Sequence, residues 1–211
     1  SDLSRCMGHI KLVVLVLWRR LAHDGQRKQA AKLHPGGPNA LAVFYASQKG
    51  HCRRFAKRLV DAAARRGVAA TATDLTAFDP DTLAEYSHAV FIVATYAGGT
   101  PVPGTEPFFR EVGEMSRDFR VEKTTLAKLS YGVFGAGNSV YPARDFNATA
   151  RRLDRALRLL GAQRLLPRCE GDDVDNALSE QFDAWLPGFW SAFEHSCAGG
   201  AGEASEAGGA G

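Results

Sequence analysis

Short apolar runs take turns with longer amphipathic segments through the middle of the chain, and this alternation constrains the fold more than anything else in the sequence. A strand covered on both faces reads as a nearly unbroken apolar run, and reaching a parallel neighbour requires a crossover long enough to hold a helix. The pattern therefore predicts an α/β fold with a parallel sheet and helices on both faces. Strands are expected at residues 41–46, 69–74, 89–95, 129–134 and 163–167. After the fourth, Phe146, Ala150, Leu153, Leu157 and Leu160 recur at helical spacing, with Arg151, Arg152, Arg155 and Arg158 on the opposite face. Phe108, Val112, Met115 and Phe119 mark an earlier helix, and Pro107 stands at its start, where a missing N–H costs nothing. The last helix carries Leu178, Phe182, Trp185, Leu186, Phe189 and Phe193. Pro187 inside it should kink or break the run at a cost of about 3 kcal/mol.

The flanks differ from this middle. Residues 1–38 form an apolar and basic leader that closes in the turn-rich His34-Pro35-Gly36-Gly37-Pro38-Asn39, so the compact domain is expected at 39–196. Residues 197–211 read as a flexible tail, because from Ala198 only Ala, Gly, Glu and Ser occur and such a stretch buries too little apolar surface to offset its ordering entropy. The apolar stretch 10–18 is interrupted by Lys11 and is shorter than the ~20 residues that span a bilayer. Arg19 and Arg20 follow it without a small-residue cleavage site, which argues against a secretory signal. A membrane anchor truncated upstream of Ser1 stays open, and the cytoplasm is the expected location. A net charge of +3 is too small to argue for a nucleic-acid partner. Cys6, Cys52, Cys169 and Cys197 lie far apart with no C-x-x-C pair, so free thiols are expected in place of a metal or iron–sulfur site.

In an open parallel sheet, ligands bind beyond the carboxyl ends of the strands. After the first strand, Ser47-Gln48-Lys49-Gly50-His51-Cys52 leads straight into a helix, placing backbone N–H groups and a helix N-terminus where a phosphate is favoured. The plain alternative is an ordinary strand-to-helix turn. A nucleoside-triphosphate loop is excluded, because no Gly-Lys-Ser/Thr sequence occurs. Thr95-Tyr96-Ala97-Gly98-Gly99-Thr100 follows the third strand, and Gly135-Ala136-Gly137-Asn138-Ser139-Val140-Tyr141 the fourth. A planar tricyclic ring needs flat apolar faces above and below and a backbone that approaches its polar edge closely, which Tyr and Gly together provide. A dinucleotide fingerprint is not met, since its third glycine would fall at Val140. Glu170-Gly171-Asp172-Asp173-Val174-Asp175 gathers carboxylates at the same end. At least half of these should serve as turn and cap residues; the others would make a reduced, anionic ring a stronger electron donor.

Residues 43–50, Ala94-Thr95-Tyr96, residues 134–141 and Phe146-Asn147 together resemble the flavodoxin-like domains of diflavin reductases and their relatives, over residues 40–195. Within that group, residues 116–124 and 129–134 look most like the amino-terminal domain of eukaryotic tRNA 4-demethylwyosine synthases. The resemblance implies a flavodoxin-like five-stranded parallel sheet in the order 2-1-3-4-5 and FMN as cofactor. It implies that Ser47, Gln48, Lys49, Gly50 and His51 hold the phosphate. Tyr96 and Tyr141 would flank the isoalloxazine, with Thr95, Ala97 and Gly98 beside Tyr96; Gly135, Ala136, Gly137 and Asn138 would touch the ring edge, and Phe146, Asn147 and Asp173 would complete the pocket. The function implied is transfer of single electrons to the iron–sulfur cluster of a radical-SAM domain, with tRNA a partner only indirectly, no DNA partner, and no catalytic residue on this chain. The C-x-x-x-C-x-x-C motif of such a domain is absent from the sequence. Lys49, His51 and Cys52 depart from the family, which has hydroxyl residues there; Lys49 would compensate as a point charge. Two other functions remain: the FMN module of a diflavin reductase, and a cofactor-free docking or RNA-binding module using Arg53, Arg54, Lys57, Arg58, Arg65 and Arg66.

Overall fold

The computed structural model describes residues 39–203; the expectations for 1–38 and for 204–211 lie outside them. Strand β1 (Leu41–Ala46) leads to helix α1 (His51–Arg65), β2 (Ala70–Asp74) and, after a 3-10 segment at Pro80–Glu85, β3 (His88–Ala94). A short 3-10 turn at Ala97–Gly99 and helix α2 (Glu106–Arg117) precede β4 (Ser130–Gly137) and α3 (Ala148–Leu159). The described residues end with β5 (Gln163–Arg164), β6 (Cys169–Asp172), a 3-10 turn at Val174–Asn176 and α4 (Leu178–Glu203). The pairings between these strands are all parallel, and the sheet order is β2-β1-β3-β4-β5, as expected, with β6 also pairing β4.

The expected strand at 163–167 is divided. Gln163 and Arg164 pair Ser130 and Tyr131, and Cys169 to Asp172 pair Phe134 to Gly137 farther along the same edge of β4. Pro167 lies in the gap, where it has no N–H for a ladder. The fourth strand runs on through Gly135, Ala136 and Gly137, beyond its expected end at residue 134.

Successive strand residues feed opposite cores. Phe44, Phe91, Tyr131 and Val133 face α2 and α3, where they pack with Phe108, Val112, Leu153 and Leu157. Val43, Val90, Ile92 and Phe134 face α1 and α4, where Phe55, Phe182, Trp185 and Phe189 are buried. Phe55 stacks on Phe182 with ring centroids 4.4 Å apart, and Trp185 on Phe189 at 5.1 Å. These rings explain why α4 continues through Pro187, contrary to expectation. Burial of a large side chain contributes about 1.5–3 kcal/mol, and several rings on either side of the proline outweigh one lost hydrogen bond. Phe119 does not extend the α2 stripe: the helix ends at Arg117, Asp118 takes an extended conformation, and Phe119 is 91% exposed.

A polar network fastens α3 to the β4–β6 edge. The Asp154 side chain, 3% exposed, accepts hydrogen bonds from Arg164 at 2.5 Å and Arg168 at 2.7 Å, and from the Tyr131 hydroxyl at 2.9 Å. Arg168 reaches on to Glu170 at 2.7 Å, and Glu170 also accepts from Arg151 at 3.1 Å.

Candidate functional site

Three loops and the segment after β6 meet at the carboxyl rim of the sheet. The first loop turns into α1 at Gly50, whose φ of +86° is left-handed while no atom lies within 4 Å of where a Cβ would stand. Glycine is needed there for its backbone, not for space. No side chain caps α1, its first turn carries no acidic residue, and the Arg54 N–H is the one that bonds back to the Gly50 carbonyl, at 3.0 Å. The first N–H groups of the helix and its positive end are thus left for an anion.

The second loop is held by backbone and by α3. The Tyr96 N–H donates to the Thr100 carbonyl at 2.8 Å, the Thr149 hydroxyl donates to the same carbonyl at 3.1 Å, and Arg152 donates to the Gly99 carbonyl. In the third, the Asn138 side chain accepts from the Val140 N–H at 2.9 Å and Asp172 from the Ser139 N–H at 2.9 Å. Burial opposes ionisation of Asp172, but this hydrogen bond and one from the Val174 N–H outweigh it and hold the carboxyl below its usual range.

Between the loops lies a cleft of about 360 Å³. Ser47, Gln48, Lys49 and His51 line it from the first loop, Thr95, Tyr96 and Ala97 from the second, Ala136, Gly137, Asn138 and Tyr141 from the third, and Asp173 from the segment after β6. Tyr96 is 40% and Tyr141 56% exposed, so two aromatic faces stand open beside one cavity. Gly50, Gly98, Gly135, Phe146 and Asn147 are not in the lining. Gly50 and Gly98 act through positive φ in their turns. Asn147, fully buried with φ 51°, wedges behind β4: its Nδ2 donates to the Gly171 carbonyl at 2.9 Å, and a Cβ at Gly135 would stand 2.3 Å from its Oδ1. A Cβ at Gly137 would lie 2.8 Å from the same side chain's Nδ2. The two glycines therefore admit Asn147, and Phe146 packs under Arg151, whose guanidinium lies 5.8 Å from its ring centroid.

Cys52, Ala94 and Leu178 also line the cleft. Cys52 stood in the first loop of the sequence, but burial pushes its thiol up to about 12, so it stays neutral. Ala94 belongs to the Ala94-Thr95-Tyr96 stretch and Leu178 to the apolar stripe of the last helix, but neither was expected in the pocket. Among the clustered carboxylates, Glu170 is paired with Arg151 and Arg168 and Asp172 is held as an anion by backbone N–H groups, whereas Asp173 keeps a buried Oδ1 without a hydrogen-bond partner. An uncapped helix end, two open aromatic faces and an unpartnered polar atom around one cavity fit a planar, phosphorylated group. On α1, Lys57 pairs with Asp61 at 2.8 Å, Arg58 with Asp183, and Arg66 with Glu194 at 3.9 Å, so part of its basic face is already matched.

The chain matches the flavodoxin family over residues 43–185. It is 41% identical over 139 residues to the S-adenosyl-L-methionine-dependent tRNA 4-demethylwyosine synthase of Danio rerio, covering 64% of this chain and 19% of the relative. The human synthase is 36% identical over 163 residues, 72% of this chain and 22% of its own length. NADPH–cytochrome P450 reductase of Aspergillus oryzae is 34% identical over 169 residues, 76% of this chain and 24% of the relative. The chain thus spans about a fifth to a quarter of these relatives. Among solved structures, a Pseudomonas aeruginosa flavodoxin mutant aligns with TM-score 0.61 at 17% identity, covering 74% of this chain and 99% of the other. At such identity this likeness concerns the fold. No helix among the described residues is long and apolar enough to cross a membrane.

Proposed function

Because the chain belongs to the flavodoxin family, whose cofactor is FMN, we propose that it is an electron-transfer domain serving the iron–sulfur cluster of a cytoplasmic radical-SAM enzyme that modifies tRNA. The observation that carries this reading is the meeting of two half-open tyrosines and an uncapped helix N-terminus at one cleft. The first N–H groups of α1 would take the phosphate oxygens, with Ser47 and Lys49 in the same cleft to supply a hydroxyl and a point charge. Tyr96 and Tyr141 would cover the ring and exclude water, while the backbone from Ala136 to Asn138 would meet its edge. When bound, FMN supplies the one-electron chemistry that no side chain here can provide. With FMN in the cleft, a carboxylate at Asp173 would disfavour added negative charge on the ring and so would tilt the site toward electron donation. Similarity to the tRNA-modifying synthases supports the acceptor named.

A second reading, the FMN module of a diflavin reductase, draws on the similarity to NADPH–cytochrome P450 reductase. The purified chain is expected to take up FMN in preference to FAD and, once reduced, to reduce the cluster of an added radical-SAM domain anaerobically, seen by electron paramagnetic resonance. A chain that binds FMN but passes electrons only to a haem acceptor favours the second reading. Failure to take up FMN at all removes both.

A further inference from the structure

A second and larger cavity, about 530 Å³, runs between α2 and α3. Its floor is apolar: Phe109, Val112, Leu153, Ala156 and Leu159, the last 47% exposed. Its edges carry Arg110, Arg117, Arg152 and Arg155 against the single carboxylate of Glu106. That carboxylate already accepts the Gly104 N–H at 2.6 Å. Arg110 has a partner in Glu111, at 3.8 Å, and Arg152 in the Gly99 carbonyl. Arg117 and Arg155 form no ion pair with a described residue.

Gly113 opens this groove. A glycine inside a helix costs about 1 kcal/mol relative to Ala, whereas Gly135, which faces α3, has a steric reason: a Cβ there would collide with Asn147 and Ala150. At Gly113 a Cβ would meet only the flexible end of Arg117, at 3.6 Å. Packing within the chain does not require the glycine, and what its missing side chain provides is depth in the groove.

We propose that this groove docks an acidic amphipathic helix of a protein partner. Its apolar side chains would lie on the floor and its carboxylates against the arginine edges. α2 is 12 residues long, which gives the groove a length of about 18 Å, or roughly three turns of a docked helix. Phosphate-rich RNA would satisfy the arginines but leave the apolar floor unmatched, which is why a protein segment is preferred. The groove adjoins the cofactor cleft: Thr149 and Arg152 line it and also hold the loop that carries Tyr96. A helix seated there would bring its parent protein beside the cleft. The groove itself is argued independently of the cofactor assignment.

The test is fluorescence anisotropy on the full chain. The probe is a labelled helical peptide of about four turns with Leu on one stripe and Glu elsewhere; the controls are a scrambled peptide of equal composition and a single-stranded oligoribonucleotide. The peptide is expected to bind saturably with micromolar Kd, to weaken with added salt, and to outbind the scrambled form about tenfold. Gly113→Leu, which plugs the groove, and the pair Arg117→Glu with Arg155→Glu are each expected to weaken binding at least about tenfold. Gly113→Leu should unfold at or above the wild-type temperature, since it removes a helix-interior glycine. Absence of saturable peptide binding, equal binding by Gly113→Leu, or preference for the oligoribonucleotide would overturn the proposal. FMN uptake, read separately by absorbance, reports on the cofactor assignment alone.

Discussion

Between the sheet and helices α1 and α4, the rings of Phe55, Phe134 and Phe182 are withdrawn from water and lie against one another. At the carboxyl rim, Tyr96 and Tyr141 stand 40% and 56% exposed around a cavity. The same kind of side chain is spent on cohesion in one place and withheld from the core in the other. Exposed rings add little to stability, so their position beside the cleft is explained by what they can cover.

Substitutions should separate the two regions, and the largest effect is expected in the core. Phe182→Ala removes a fully buried ring stacked on Phe55 and is expected to cost about 3–5 kcal/mol in urea unfolding; a change below about 1 kcal/mol would mean that the stack does not hold the fold. Asp154→Ala leaves Arg164 and Arg168 without their buried acceptor and is expected to cost about 3 kcal/mol by the same measurement, an effect that an apolar repacking of the whole network would remove. At the rim, Tyr96→Ala combined with Tyr141→Ala should change stability of the FMN-free chain by less than about 0.5 kcal/mol. The same pair should weaken FMN binding by roughly 10- to 100-fold in fluorescence titration. Unchanged affinity would erase the contrast between the two sets of rings.

The smallest effect sharpens the comparison by pH. Burial lifts the Cys52 thiol from its ordinary value of 9.0 to about 12 in the folded chain, so the folded state holds this proton more tightly than the unfolded one. The stability it contributes is intact below pH 9 and is lost as pH rises toward 12, at a rate of at most about 1.4 kcal/mol per pH unit. Cys52→Ala should show a shallower decline over that window, and an identical slope would show that the thiol is not the group responsible.

Much of this organisation was legible because periodicity reports burial. The alternation located the strands and gave the α/β class, and the loops that followed strands one, three and four supplied most of the residues that line the cleft. What escaped had no local signal. The run at 163–167 looked continuous because apolar Leu165 and Leu166 mask the gap that Pro167 imposes. Pro187 was read by its backbone cost alone, while the rings that outweigh it come from α1 and β4, far away in sequence. Phe119 fits the helical spacing, yet the turn at Asp118 carries it out to solvent. Gly135 and Gly137 suggested close approach of a ligand; Gly137 does line the cleft, but both glycines also face Asn147, a neighbour that is found only by knowing how the chain returns to β4.

That return has an evolutionary corollary. The stretch between Asn138 and Asn147 is a cassette mounted on two posts: Asp172 ties down one end through Ser139, and the wedge of Asn147 fixes the other. Residues between the posts, such as Val140 and Arg144, project outward. Outward residues of that insert could be exchanged without disturbing the frame, whereas Tyr141 is tied to the cleft and Gly135 and Gly137 to the side chain of Asn147.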